Sequence, residues 1–177
     1  MPAQDNLFFM GMSATGVGAT QAEEDFVLQD EIFIEAPVEL VFALCTNIEV
    51  VQQTLGFHPT PSTGNITAGS RVHWKGWLFG LPQVHHTLIT GFEAPIYFQD
   101  TQESGRFLRF YHNHHMTPTG GGTNLHDDVH FTLPFGYLGR LVAKYIIAPH
   151  TQRLLRTRFE LLKRLAEGPE EGWQKYT

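Results

Sequence analysis

Between Arg71 and Leu133 the sequence carries five strand-like runs in succession, and a long helical stretch follows them. The runs are Arg71 to Phe79, Gln83 to Phe92, Tyr97 to Gln102, Phe107 to Thr117 and Thr123 to Leu133. Each is rich in aromatic and β-branched residues and is bounded by turn chemistry: Gly80 and Pro82, Ala94-Pro95, and Pro118 through Gly122. Connections this short leave no room for a crossover, so successive strands run antiparallel in a meander.

The flanks complete the pattern. Phe26 to Glu35 reads as a strand, and Pro37 suits the first turn of a helix whose apolar side is Val38, Val41, Phe42 and Cys45. Thr46-Asn47 breaks that helix, Ile48 to Leu55 forms a second short one, and His58 to Gly64 reads as a loop. After Pro134-Phe135-Gly136, Leu138, Leu141, Val142, Tyr145 and Ile146 form one apolar stripe; Leu154, Leu155, Leu161, Leu162 and Leu165 form another. On a continuous helix the two stripes are roughly 160° out of phase. Pro149 lies between them, lacks a donor and clashes with the preceding turn, so a break or strong kink is predicted near residues 148–150. The fold class expected is α+β: a curved antiparallel sheet wrapped around a long C-terminal helix, kinked or broken near Pro149, with two short helices after the first strand. Residues 25–168 form one domain, which a chain of 177 residues is long enough to build. Residues 1–24 read as a flexible tail, with an extra strand or a dimer arm as the alternatives, and residues 169–177 as a polar C-terminal tail.

Two charges interrupt this scheme. In the last strand, alternation puts Leu125, Asp127, Val129, Phe131 and Leu133 on one face, which is apolar except for Asp127. In the last helix, Arg158 falls near the middle of the leucine stripe. A carboxylate and a guanidinium on core-facing surfaces must be paired or must face a cavity holding water or ligand. Both point to a pocket between sheet and helix.

Histidine is the other departure, with ten in the chain. His112, His114 and Met116 share a face with Leu108 and Phe110. Depending on how the Gly120-Gly121-Gly122 hairpin closes, His112 falls opposite Asp127, or a slip of two residues brings His114 there. Either arrangement gives a His-Asp pair suited to general base catalysis, with the carboxylate fixing the imidazole tautomer. It serves equally as a buried structural hydrogen bond. His112, His114 and Asp127 also have the make-up of a two-histidine, one-carboxylate metal set. The structural reading is preferred, and no metal and no cofactor is expected. No phosphate loop, dinucleotide fingerprint or nucleophile elbow is present. Cys45, the one cysteine, excludes an intrachain disulfide and reads as an inert core thiol.

A net charge of −6 argues against general nucleic-acid binding. Seven of the twelve basic residues lie between Arg140 and Arg164, which reads as a solvated helix face, with a site for anionic head groups or phosphates as the alternative. No stretch is long enough for membrane insertion, and Leu7-Phe8-Phe9-Met10 lacks the basic flank of a signal peptide, so the cytoplasm is the expected compartment. The oligomeric state is left open, a homodimer included.

The element order resembles the helix-grip fold of the START-like, or SRPBCC, superfamily, which includes polyketide cyclases and dehydrases, lipid-transfer domains and plant pathogenesis-related allergens. The resemblance spans about Phe26 to Glu167 and rests on Phe33-Ile34-Glu35-Ala36-Pro37-Val38 leading into the first helix, on Gly69-Ser70-Arg71-Val72, on Gly122-Thr123 with Asp127-Asp128-Val129, and on Leu133-Pro134-Phe135-Gly136 with Leu138-Gly139. These motifs specify a fold and not a chemistry. The resemblance implies a deep, mostly apolar cavity with a few orienting polar groups. The expected function is binding or transport of a small hydrophobic molecule or lipid. Phe110, Leu125, Val129, Phe131, Leu155, Phe159, Leu162 and Trp74 would form its walls, and Arg158, His112, His114 and Asp127 would orient its polar end. The alternative is a cyclase or dehydratase on a polyketide-like or aromatic substrate, with His112 moving a proton, Asp127 orienting it and Arg158 stabilising an enolate.

Overall fold

The computed structural model describes residues 25–177, so the expectations for residues 1–24 fall outside the described residues. Among the described residues, seven strands form one antiparallel sheet: β1 (Phe26–Ile34), β2 (His58–Thr60), β3 (Arg71–Leu78), β4 (Leu81–Glu93), β5 (Tyr97–Ser104), β6 (Arg109–Thr119) and β7 (Gly122–Thr132), in the order β1-β7-β6-β5-β4-β3-β2. The meander β3 to β7 is the one the turn residues predict. β1 returns to pair with β7, Ile34 opposite Thr123 and Leu28 opposite Val129. The proline-rich segment expected as a loop contributes a short edge strand, His58 to Thr60, against β3. Two register shifts along β4, at His86/Thr87 and Ile89/Gly91, bend the sheet into a trough.

α1 (Val38–Thr46) and α2 (Ile48–Leu55) follow β1. Asn47 separates them because its carboxamide oxygen accepts from the Glu49 and Val50 amides at 3.0 and 3.2 Å, a helix cap of about 1 kcal/mol. The C-terminal helix is continuous from 136 to 166. It comprises α3 (Gly136–Val142), a π-helical turn (Ala143–Ile147) and α4 (Ala148–Ala166). The discontinuity expected near Pro149 therefore takes the form of the π turn and not of a break. The Ala148 amide donates to the Ala143 carbonyl, five residues back, so the wider turn ends just where Pro149 enters at the start of α4. The second stripe is the more deeply buried: Leu155, Leu161 and Leu162 are inside together with Phe159, whereas Leu138, Tyr145 and Ile146 of the first remain exposed.

At the corner before α3, Phe135 and Gly136 both have positive φ. Gly139 lets the first turn fold onto this corner, because a β-carbon there would sit 2.0 Å from the Pro134 carbonyl oxygen. Gly139→Ala should cost about 1–3 kcal/mol in a urea titration, the range for overpacking. A loss below about 0.5 kcal/mol would show that this corner relaxes enough to take the methyl group and that Gly139 is not required there.

The last residues also depart from expectation. Residues 169–177 carry α5 (Glu170–Trp173) and a single 3-10 turn (Gln174–Tyr176) in place of a tail. Trp173 and Tyr176 pack on the core, and the Asn47 amide nitrogen donates to the Tyr176 carbonyl at 3.1 Å. Two aromatic side chains are enough to bind a segment whose other residues are polar.

The interior divides into three apolar clusters. One joins α1, α4 and the sheet through Val41, Leu44, Phe98, Met116, Leu125, Phe159 and Leu162. A second holds Val129, Phe131, Ala143 and Leu155, and a third holds Ile48, Val72 and Trp74. Residues of all three line the same cavity, which is what separates them.

Candidate binding cavity and its polar wall

The cavity has a volume of about 330 Å³ and lies between the trough of the sheet, α2 and α4. Its walls are largely apolar and include Trp74, Phe98, Phe110, Val129, Leu154 and Leu155. One end is polar, and sheet register builds it. Asp100 on β5 stands opposite His112 on β6, and His114, two residues on, stands opposite Asp127 on β7. Of the two pairings left open by the sequence, the structure adopts the one with His114 opposite Asp127, and Met116 pairs with Leu125. Side chains at i and i+2 share a face, so all four groups project from the sheet on the same side.

Direct and diagonal contacts complete the set. His114 Nδ1 lies 2.9 Å from Asp127 Oδ1, and its Nε2 lies 3.1 Å from Asp100 Oδ2. His112 Nε2 lies 3.1 Å from Asp127 Oδ2, and its Nδ1 lies 3.8 Å from Asp100 Oδ2. The contact between His112 Nε2 and Asp127 Oδ2 is short but poorly aligned, so both atoms are buried without a hydrogen bond. Asp127 and His114 are fully enclosed, and Phe98 stacks on the His114 ring at 4.1 Å. Arg158 reaches in from α4 and donates through Nη2 to the Cys45 carbonyl at 3.3 Å.

These surroundings set the charges. Burial alone would raise the pKa of Asp127, but the adjacent His114 and His112 outweigh it and hold the carboxyl well below its usual range. Asp100 follows the same logic: burial opposes ionisation, and the hydrogen bond from His114 with the neighbouring imidazoles lowers its pKa overall. Burial, reinforced by His114, lowers the pKa of His112 despite the pull of Asp127, so its ring is kept neutral. Burial works against the Arg158 charge too, yet Asp127 together with Cys45 and Asp100 outweighs it and raises its pKa. Cys45 is pushed up to about 12, chiefly by burial, so its thiol stays protonated at neutral pH.

The cavity thus gathers Arg158, His112, His114, Phe110, Val129, Leu155 and Trp74 from the residues predicted to form a site. Asp127 stands behind the two histidines. Leu125, Phe131, Phe159 and Leu162, expected as cavity wall, instead pack in the apolar clusters, because their faces meet neighbouring elements before they reach the open volume. Asp100 is the carboxylate of the polar cluster that sequence reasoning missed. It shares a face with the buried Phe98, the same kind of signal that singles out Asp127, but Gln102 on that face disguises it as ordinary polar alternation.

No protein-family model and no curated relative matches the chain. Solved structures do. A START superfamily protein from Mycobacterium smegmatis superposes with a TM-score of 0.59 at 16% identity, over 76% of this chain and 94% of that one. The fold is the START-like helix grip. The di-domain aromatase/cyclase BexL from the BE-7585A biosynthetic pathway shares that grip at TM-score 0.66 and 15% identity, over 85% of this chain and 52% of its own length. Norcoclaurine synthase from Thalictrum flavum, solved in complex with dopamine and hydroxybenzaldehyde, matches at TM-score 0.63 and 9% identity, over 90% and 97% of the two chains. Identities this low establish the helix grip and leave its chemistry to the residues of the cavity.

Proposed function

We propose that the protein binds a small, largely apolar molecule in the cavity, with one polar or anionic group held at the end formed by Arg158 and His112. The observation that supports this most directly is the contrast within the cavity wall: apolar side chains on most of the surface, and among its lining residues Arg158 with the closely spaced Asp100, His112 and His114. A volume of about 330 Å³ is at the small end of ligand pockets, which suits a molecule of two or three rings. Arg158 donates to the Cys45 carbonyl through Nη2, and its guanidinium carries further donors for a carboxylate, sulfonate or enolate oxygen.

The test uses 8-anilinonaphthalene-1-sulfonate, an aromatic dye with one anionic group. Fluorescence titration should give one site per chain. Arg158→Leu should weaken it by roughly 10- to 150-fold, the equivalent of a charge-assisted hydrogen bond of about 1.5–3 kcal/mol. Leu154→Trp, which fills the cavity from α4, should abolish it. Equal dye affinity in the wild type and both variants would place the dye outside the cavity and overturn the reading.

A second reading, cyclase- or dehydratase-type proton transfer, draws on the placement of His112. Its ring lines the cavity while Nε2 faces the carboxylate of Asp127, the arrangement of an oriented base. Under that reading His112 moves the proton, and Arg158 stabilises the oxyanion that forms.

A further inference from the structure

The polar wall holds a second pattern, visible when each imidazole nitrogen is followed separately. Both histidines turn one nitrogen to Asp127: Nδ1 of His114 to Oδ1 at 2.9 Å, and Nε2 of His112 to Oδ2 at 3.1 Å. Both turn the opposite nitrogen to the same atom of Asp100: Nε2 of His114 at 3.1 Å and Nδ1 of His112 at 3.8 Å from Oδ2. One carboxylate therefore backs both rings, one oxygen to each, while the other carboxylate caps both on the cavity side. We propose that Asp100, His112 and His114 form a binding site for a divalent first-row transition ion such as zinc, with Asp127 as the buried carboxylate that orients both histidine ligands.

Four features carry this. First, one ligating atom from each of the three residues lies within 4.8 Å of the others. Donors about 2.1 Å from a tetrahedral ion are separated by roughly 3.4 Å, and the two Asp100 distances, 3.1 and 3.8 Å, bracket that spacing. Second, tautomers agree. Metal at His112 Nδ1 and His114 Nε2 leaves the ring protons on His112 Nε2 and His114 Nδ1, which are the two atoms facing Asp127. A histidine ligand donating its other N–H to a carboxylate is the usual support of such a site. Third, hydrogen bonding alone leaves the cluster incomplete: His112 Nδ1 is too far from Asp100 for a hydrogen bond, and His112 Nε2 and Asp127 Oδ2 are buried without one. Metal at Nδ1 would fix the proton on Nε2 and let a small ring rotation close that contact. Fourth, His112, His114 and Asp100 all line the cavity, so a fourth coordination position opens towards it. Two imidazoles and one carboxylate favour zinc, iron, cobalt or manganese over magnesium or calcium. The open position would take an oxygen donor, and Arg158 would partner an anionic one.

The experiment is zinc titration of the chelator-treated full chain, read by native mass spectrometry and by long-range 1H–15N correlation of the histidine rings. One zinc per chain is expected, with the shifts confined to His112 and His114 among the ten histidines and with Nδ1 and Nε2 respectively as the coordinating atoms. Asp100→Asn, which keeps the side-chain shape, should weaken binding at least tenfold, and His112→Ala should abolish it. The double variant His115→Ala/His126→Ala, on the outer face of the sheet, should bind as the wild type does. The ring spectra of the wild type decide the matter even where a variant fails to fold. Unshifted His112 and His114 resonances at saturating zinc would overturn the site, as would zinc retained by folded Asp100→Asn and His112→Ala. No organic ligand enters this titration, so dye binding without zinc binding removes the metal site alone.

Discussion

Asp127→Ala should lower the stability of the folded chain by about 3–5 kcal/mol, the largest effect expected of any substitution in the polar wall. The residue is fully enclosed and faces His114 and His112 through separate oxygens, with Arg158 contributing at longer range. Truncation removes the fully buried anion between these groups and leaves Asp100 as the remaining carboxylate. It leaves the buried Nδ1 of His114 and Nε2 of His112 facing a void, and it leaves the Arg158 charge with less compensation. For a domain of this size, a loss of about 3–5 kcal/mol is a fall of roughly 6–20 °C in Tm. Asp127→Asn should fall between wild type and alanine, because its carbonyl oxygen can still accept from one imidazole. Urea and thermal unfolding in chelator-treated protein separate the outcomes. A loss below about 1 kcal/mol for alanine would mean that the histidines and arginine find other partners, and that Asp127 does not organise the wall.

That prediction starts from a residue the sequence marks plainly, and the contrast with Asp100 shows where such reading stops. Asp127 interrupts an otherwise apolar face in a strand whose alternation is clean, so a single strand is enough to expose it. Asp100 lies between Phe98 and Gln102 on its face, and nothing local distinguishes it from a solvated acid. Its importance comes from β5 pairing with β6, which sets it opposite His112. Cross-strand register is a property of two segments and one hairpin, and for β6 and β7 the glycine-rich turn left it two-fold ambiguous until the pairing of His114 with Asp127 was seen. The order of β3 to β7 followed from short connections, and the two early helices from Pro37 and Asn47. The apolar residues were harder: Leu125 and Phe159 occupy inward faces as expected, but whether an inward face meets a neighbour or an open cavity depends on sheet curvature, and the β4 register shifts that shape it have no counterpart in hydrophobic pattern. The C-terminal helix shows a related limit. The phase mismatch and Pro149 correctly signalled an irregularity, but a π turn resolves it without breaking the helix.

Stability should also fall on acidification in two stages, and the sign follows from the direction of each shift. His112 and His85 are both held neutral mainly by burial, with pKa values below the ordinary 6.5. As pH falls from about 7 towards 5, the unfolded chain takes up protons at these positions before the folded chain does, so unfolding is favoured. Their contribution is therefore complete above about pH 7 and is lost as pH drops through the folded values. Asp127 and Asp100 act in the same direction lower down. Despite burial, their imidazole neighbours hold both below the ordinary 3.8, so their contribution is complete above about pH 5 and disappears as the carboxyls are protonated. Each unit of depression corresponds to about 1.4 kcal/mol. Urea midpoints of chelator-treated protein between pH 8 and the acid limit of solubility, on the order of pH 3, should describe a shallow decline and then a steep one. His112→Gln should flatten the upper decline, and Asp127→Asn should flatten the lower one from a reduced starting stability. A midpoint that holds level or rises between pH 7 and 5 would mean that the histidines accept protons as readily folded as unfolded, and that burial does not hold His112 neutral on the cavity wall.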